Sequence, residues 1–196
     1  MNTTSRSHFA VRVLAECAVM LALSFALSFI GFEMPMGGKV TPASMLPLFF
    51  VAIHLGPIAA TATGTLYALL QIWQAYLAGN VFVYCETAPV LFQCVLFDYV
   101  IPFILPFVLV GFFSHTWKGR GKDAFIYISI SVGLVLRFLS HFVSGILIWG
   151  QWAEDMSPAL YSFLYNGTFM LPELAIVLVV SFLLLRNGQI RKILRT

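Results

Sequence analysis

The chain has 196 residues, 60% of them hydrophobic and 10% charged, with a formal net charge of +3 and a mean hydropathy of +0.93. A soluble domain carries about a quarter charged residues, so this composition cannot build a polar coat, and the lipid bilayer is the solvent it suits. That excludes a nucleic-acid module, a secreted disulfide scaffold and a disordered tail, and the small net charge does not describe a polyanion-binding surface.

The hydrophobic runs divide at Gly, Pro and charge clusters into helices expected at about 10–30, 43–55, 57–78, 88–114, 124–149 and 158–186, all within one domain, 1–196. The first begins like a signal peptide, with arginine before an apolar run. It reaches nearly a full span without a clear cleavage site, and so reads as a span. Its Ala18, Ala22 and Ala26 recur at every fourth position, a stripe that lets another backbone approach closely, whether from this chain or from a partner. Arg12 and Glu16 have the spacing of a pair on one helix face. No Lys, Arg, Asp or Glu occurs between Val40 and Cys85, and Leu55-Gly56-Pro57 divides the second helix from the third, a single kinked helix being the alternative. Ser157 before Pro158 suits the start of the last helix, because serine caps and proline fits the first turn. Cys17, Cys85 and Cys94 are an odd number among apolar neighbours without metal-site spacing, and read as reduced packing residues.

Charge placement orients the spans, because Lys and Arg concentrate in cytoplasmic segments. Arg6 and Arg12 precede the first helix core, Lys118, Arg120 and Lys122 follow the fourth, and Arg186, Arg191, Lys192 and Arg195 form the tail. The other connections hold Glu33 with Lys39, Glu86, and Glu154 with Asp155. An even number of spans with both termini cytoplasmic puts every basic cluster on one side. Trp149, Trp152 and Tyr161 fall at the expected outer boundary and Trp117 at the inner one, where amphipathic rings favour the headgroup level.

An ionisable group at membrane depth costs about 2.5–3.5 kcal/mol on insertion scales, so each one needs a partner or a job. Asp98 lies about 15 Å inside the outer end of the fourth span by helical rise. His141 and Asn166 reach a similar level from the fifth and sixth, the convergence a ligand pocket opening outward requires. The alternative is a hydrogen-bond network that merely holds the bundle together. Arg137, His141, Gly145 and Trp149 recur every four residues on one face, and Arg137 can balance Asp98 or Glu173 as a structural ion pair. Tyr161 and Asn166 lie about 140° apart around an ideal helix, so they share a pocket only if it wraps partly around it. No P-loop, HExxH, Gly-x-Ser-x-Gly or Gly-x-Gly-x-x-Gly motif is present, and no cofactor or metal site is expected.

The segment from Arg137 to Gln151, then Tyr161-Ser-Phe-Leu-Tyr-Asn166-Gly-Thr, together with Gln93 and Asp98-Tyr99, resembles the thiamine-specific substrate-binding (S) component of energy-coupling factor transporters. The resemblance covers nearly the whole chain. It implies an all-α integral membrane bundle of six transmembrane helices that binds thiamine outside and releases it inward. ATP hydrolysis would fall to a separate module, a transmembrane coupling protein with two ATPase subunits, and the chain itself would be no enzyme. It also implies that Asp98, Tyr99, His141, Trp149, Tyr161 and Asn166 form the pocket and that Ala18 and Ala22 dock on the coupling protein. The first outer loop, Phe32-Glu-Met-Pro-Met-Gly-Gly38, lacks the tryptophan some members place over the ligand. Phe32, Met34 or Met36 is the expected cover, with Gly37-Gly38 as hinge and Tyr84 at the entrance. Alternatives are an S component for another vitamin or a thiamine precursor, or a proton-coupled carrier using Asp98 and His141 as a relay.

Overall fold

A computed structural model describes residues 3–79, 85, 87–117 and 122–195. Tyr84, Glu86, Lys118 and Arg120 lie outside them. Among the described residues, four helices are long and apolar enough to cross a membrane: Ser7–Phe29 within α1 (Thr3–Phe29), the continuous Ala88–Thr116, α6 (Asp123–Leu147) and α7 (Pro158–Leu185). α3 (Pro57–Ala78) has 22 residues, but Thr61, Thr63, Thr65, Gln71 and Gln74 lower its hydropathy. α2 (Leu46–Leu55) has only 10 residues. At about 1.5 Å per residue it reaches halfway through a hydrocarbon core of about 30 Å.

α2 is the centre of the packing, with eight consecutive residues, Leu46 to Ile53, buried. Phe49 meets Phe107 edge to face at 4.9 Å, and Gly133 of α6 lets it in, since a Cβ there would overlap the Phe49 ring. Small residues at such crossings matter because lipid tails are as apolar as leucine, so close van der Waals contact holds the helices together. α2 and α3 are separate helices. Gly56 between them has φ +85°, a left-handed value that Pro57 cannot correct and only glycine adopts freely, so the kinked-helix alternative is excluded.

The chain between α1 and α2 folds back as a two-stranded hairpin, β1 (Phe32–Glu33) and β2 (Lys39–Val40), pairing Phe32 with Val40 and Glu33 with Lys39. Gly37 and Gly38, at φ +98° and +78°, close its turn, and Lys39 Nζ donates to the Phe29 carbonyl at the end of α1 at 2.8 Å.

The span Ala88–Thr116 is irregular where the function-bearing residues lie. α4 (Ala88–Cys94) passes into a π-helical stretch, Val95–Val100, before α5 (Ile101–Thr116). Pro102 supplies a reason. It has no N–H to give to the carbonyl four or five residues back, and the Phe97 carbonyl instead accepts from Ser140 Oγ of α6 at 2.9 Å. The wider turn carries Asp98 and Tyr99.

α6 ends at Leu147, and Trp149–Trp152 form a 3-10 turn, so Trp149 lies beyond the helix expected to hold it. Ser157 caps α7 as expected, its hydroxyl accepting from the Leu160 N–H. The basic tail forms a further helix, α8 (Gly188–Arg195), with Leu194 buried and Arg191 3.8 Å from Asp123. The cysteine expectation is corrected in part: Cys85 and Cys94 are joined by a disulfide, and Cys17 alone is free among the described residues. The return of the chain into α4 brings the pair together, and Ile148 and Trp149 pack on it.

Candidate functional site

A cavity of about 620 Å³ lies among α1, α3, the π-helical stretch, α6, α7 and the hairpin. The face of α6 read from the sequence lines it with Arg137, His141 and Gly145, and Trp149 continues that wall from the 3-10 turn. Asp98 enters from the π-helical turn, with its side chain 15% exposed. One carboxylate oxygen accepts from Trp149 Nε1 at 2.9 Å, and the other lies 3.4 Å from His141 Nδ1. Trp149, expected at the headgroup level, is thus turned inward, held by a hydrogen bond to an anion that is stronger than a neutral one.

α7 contributes Tyr161, Asn166 and, unanticipated from the sequence, Tyr165 and Phe169. The cavity does wrap around this helix. Asn166 Nδ2 donates to the His141 carbonyl at 3.2 Å and to the Ser162 carbonyl at 2.9 Å, so its amide ties α7 to α6. Gly145 makes that approach possible, because a Cβ there would overlap Ser162 Oγ. Tyr161 and Tyr165 lie with ring centroids 5.9 Å apart, and Tyr165 meets Phe169 edge on at 6.0 Å. Tyr99 reaches the cavity wall but is mostly buried, in contact with Phe103.

The hairpin closes one side through Glu33, Gly37, Gly38 and Lys39. Gly37 and Gly38 press so closely on Tyr165 and Phe169 that neither position has room for a Cβ. Phe32, Met34 and Met36 do not line the cavity. Phe32 and Met36 are exposed, and Met34 packs with Val40, Phe169 and Met170. At Gly37 and Gly38 the main chain itself lies against the rings.

Beneath Asp98 lies a second charged group. Glu173 is 2% exposed and lies 3.3 Å from Arg137 Nη1. Thr41 Oγ1 also donates to Glu173 at 2.8 Å, while the Arg137 guanidinium sits over the Phe103 ring at 4.9 Å. Arg137 is thus balanced by Glu173, which leaves the Asp98 charge facing the cavity.

α3 forms a wall the sequence reading missed, with Tyr67, Gln71, Gln74, Ala75 and Ala78 on it. The signal was present: these positions recur at helical spacing on one face, and the two glutamines lie in the longest stretch without charge. Chemically, the cavity offers the Asp98 carboxylate beside an indole and an imidazole, with phenol rings and amides elsewhere on the wall; of the other two carboxylates lining it, Glu173 is paired with Arg137 and Glu33 lies on the hairpin. Such a site suits a flat organic cation with hydrogen-bonding edges.

A family model described as "Thiamine transporter protein (Thia_YuaJ)" matches residues 14–192. The thiamine transporter ThiT of Bacillus subtilis (strain 168) is 32% identical over 181 residues, covering 87% of this chain and 88% of that protein. ThiT of Lacticaseibacillus paracasei is 21% identical over 191 residues, covering 92% and 90%. A solved structure of ThiT from Listeria monocytogenes aligns with a TM-score of 0.70 at 25% identity, over 93% of this chain and 98% of that one.

Proposed function

The chain belongs to the thiamine transporter protein (Thia_YuaJ) family, and from that membership we propose that it is the thiamine-binding S component of an energy-coupling factor transporter. In this reading one six-helix domain lies in the cell membrane with both termini cytoplasmic. It captures thiamine from outside and delivers it inward when a transmembrane coupling protein and two ATPase subunits act on it.

The observation that carries the reading is the Asp98 carboxylate, held by Trp149 and His141 on the wall of a cavity rich in aromatic side chains. Thiamine has a fixed thiazolium charge, an aminopyrimidine ring and a hydroxyethyl tail. Asp98 meets the charge, the rings supply faces, and Tyr161 and the Asn166 side-chain oxygen serve polar edges. The basic clusters support the orientation. So does the Cys85–Cys94 disulfide, which persists on an oxidising outer side.

Purified protein in detergent, without ATP or any partner, is expected to bind thiamine and to show quenching of tryptophan fluorescence through Trp149. No saturable binding would sink the reading. Proton-driven uptake by this chain alone in liposomes would favour the carrier alternative, to which the 3.4 Å approach of His141 to Asp98 lends geometry.

The proposed docking face has a support of its own. Ala18 and Ala22 are exposed on α1, although the helix packs on α2 and α3 through other residues. Ala18→Trp and Ala22→Trp are expected to leave thiamine affinity within about twofold while removing copurification with the coupling protein, since indoles block close backbone approach. A complex that survives both changes refutes the assignment.

A further inference from the structure

Three side-chain amides line the cavity, from Gln71, Gln74 and Asn166, and they are not equally available to a ligand. Asn166 spends its nitrogen on the His141 carbonyl, the Ser162 carbonyl and Ser162 Oγ. The oxygen of Gln74 accepts from Ser28 Oγ at 3.1 Å. Gln71 differs: its side-chain nitrogen is buried and has no hydrogen-bond partner among the described residues. A buried amide group left unpaired costs free energy, so its place on the wall of a ligand cavity calls for a partner that arrives with the ligand.

We propose that Gln71 is a specificity-determining residue of this cavity, its side-chain amide pairing with the amino group and adjacent ring nitrogen of an aminopyrimidine. The inference rests on the reading of the cavity as a thiamine site and extends it to which wall reads which half of the ligand. An amide presents a donor and an acceptor side by side. The amino edge of an aminopyrimidine presents the complementary pair, as adenine does when a glutamine or asparagine reads it. Rotation of the amide by 180° exchanges its two ends, so the side chain can turn its oxygen to the amino group and its N–H to the ring nitrogen. The carboxylate cannot do this work while it serves the cationic ring, because an ionised carboxylate only accepts. Charge is thus met from the π-helical stretch, and the neutral edge is met from α3.

The test compares wild type, Gln71→Leu and Gln71→Met, binding thiamine and its analogue lacking the 4-amino group, by titration calorimetry in detergent. Both substitutions suit a helix, and Met keeps the length of the side chain. Thiamine affinity is expected to fall by about tenfold to 100-fold in both variants, the range of a bidentate base contact. Affinity for the desamino analogue is expected to move by less than about threefold, an effect below half of that single-contact range. Equal losses for the two ligands would show a packing role and overturn the inference, as would unchanged thiamine affinity in either variant. Those outcomes leave the thiamine site standing as long as wild type binds thiamine and Asp98→Asn weakens it. Failure of wild type to bind would take both readings down together.

Discussion

Asp98→Asn is expected to weaken thiamine binding by about 100-fold, since losing one partner of a buried charge pair costs about 2–5 kcal/mol and each 1.4 kcal/mol is tenfold. The substitution is close to isosteric. Its side-chain oxygen can still accept from Trp149 Nε1, which lies 2.9 Å from the carboxylate in wild type, so the indole keeps its place and the measurement isolates the charge. An uncharged ligand of similar shape, with a neutral ring in place of thiazolium, should lose far less. Titration calorimetry with both ligands separates the effects. Equal affinity of wild type and variant for thiamine would show that the carboxylate does not meet the cation, and the proposed pocket would fall with it.

Glu173→Gln is expected to destabilise the protein by about 3–5 kcal/mol, the usual cost of leaving a buried charge without its counterion. Glu173 is 2% exposed, and the variant retains an acceptor for Thr41 while leaving the Arg137 guanidinium uncompensated. For a chain of this size that corresponds to a fall of about 10 °C in the unfolding midpoint in detergent. Replacing both partners, as Arg137→Met with Glu173→Leu, should recover more than half of the loss, because the cost lies in the unpaired charge rather than in the missing contact. A Glu173→Gln variant as stable as wild type would mean that water or lipid headgroups reach Arg137 and that the pair is not the closed base of the cavity.

Much of this site was legible in the sequence, and the particular residues show why. Arg137, His141, Gly145 and Trp149 repeat every four positions, so helical geometry alone gathers them on one face, and the structure sets them on one wall. Asp98 stood out because a lone carboxylate at membrane depth is too costly to be incidental. Which acid balances Arg137 was not legible, since Asp98 and Glu173 both lay within reach of a helix-depth estimate. The π-helical turn at Val95–Val100 rotates Asp98 toward Trp149 and His141 and leaves Glu173 for the arginine. The hairpin shows the same limit: Phe32, Met34 and Met36 are its large apolar residues, yet Gly37 and Gly38 are the positions that press on Tyr165 and Phe169.

Composition and periodicity determined by themselves that this chain suits lipid and which polar groups had to be explained; they did not give the early start of α1 at Thr3 or the separate α8. What they did determine follows from local terms: transfer of side chains out of water and the obligation of each backbone group to find a partner in the same segment. Tertiary structure alone decided the pairing of Cys85 with Cys94 and the burial of the ten-residue α2 at the centre. Each depends on what stands opposite a residue across a gap between helices. No spacing along one helix records that, because close packing in a membrane is set by the shapes of both surfaces at once.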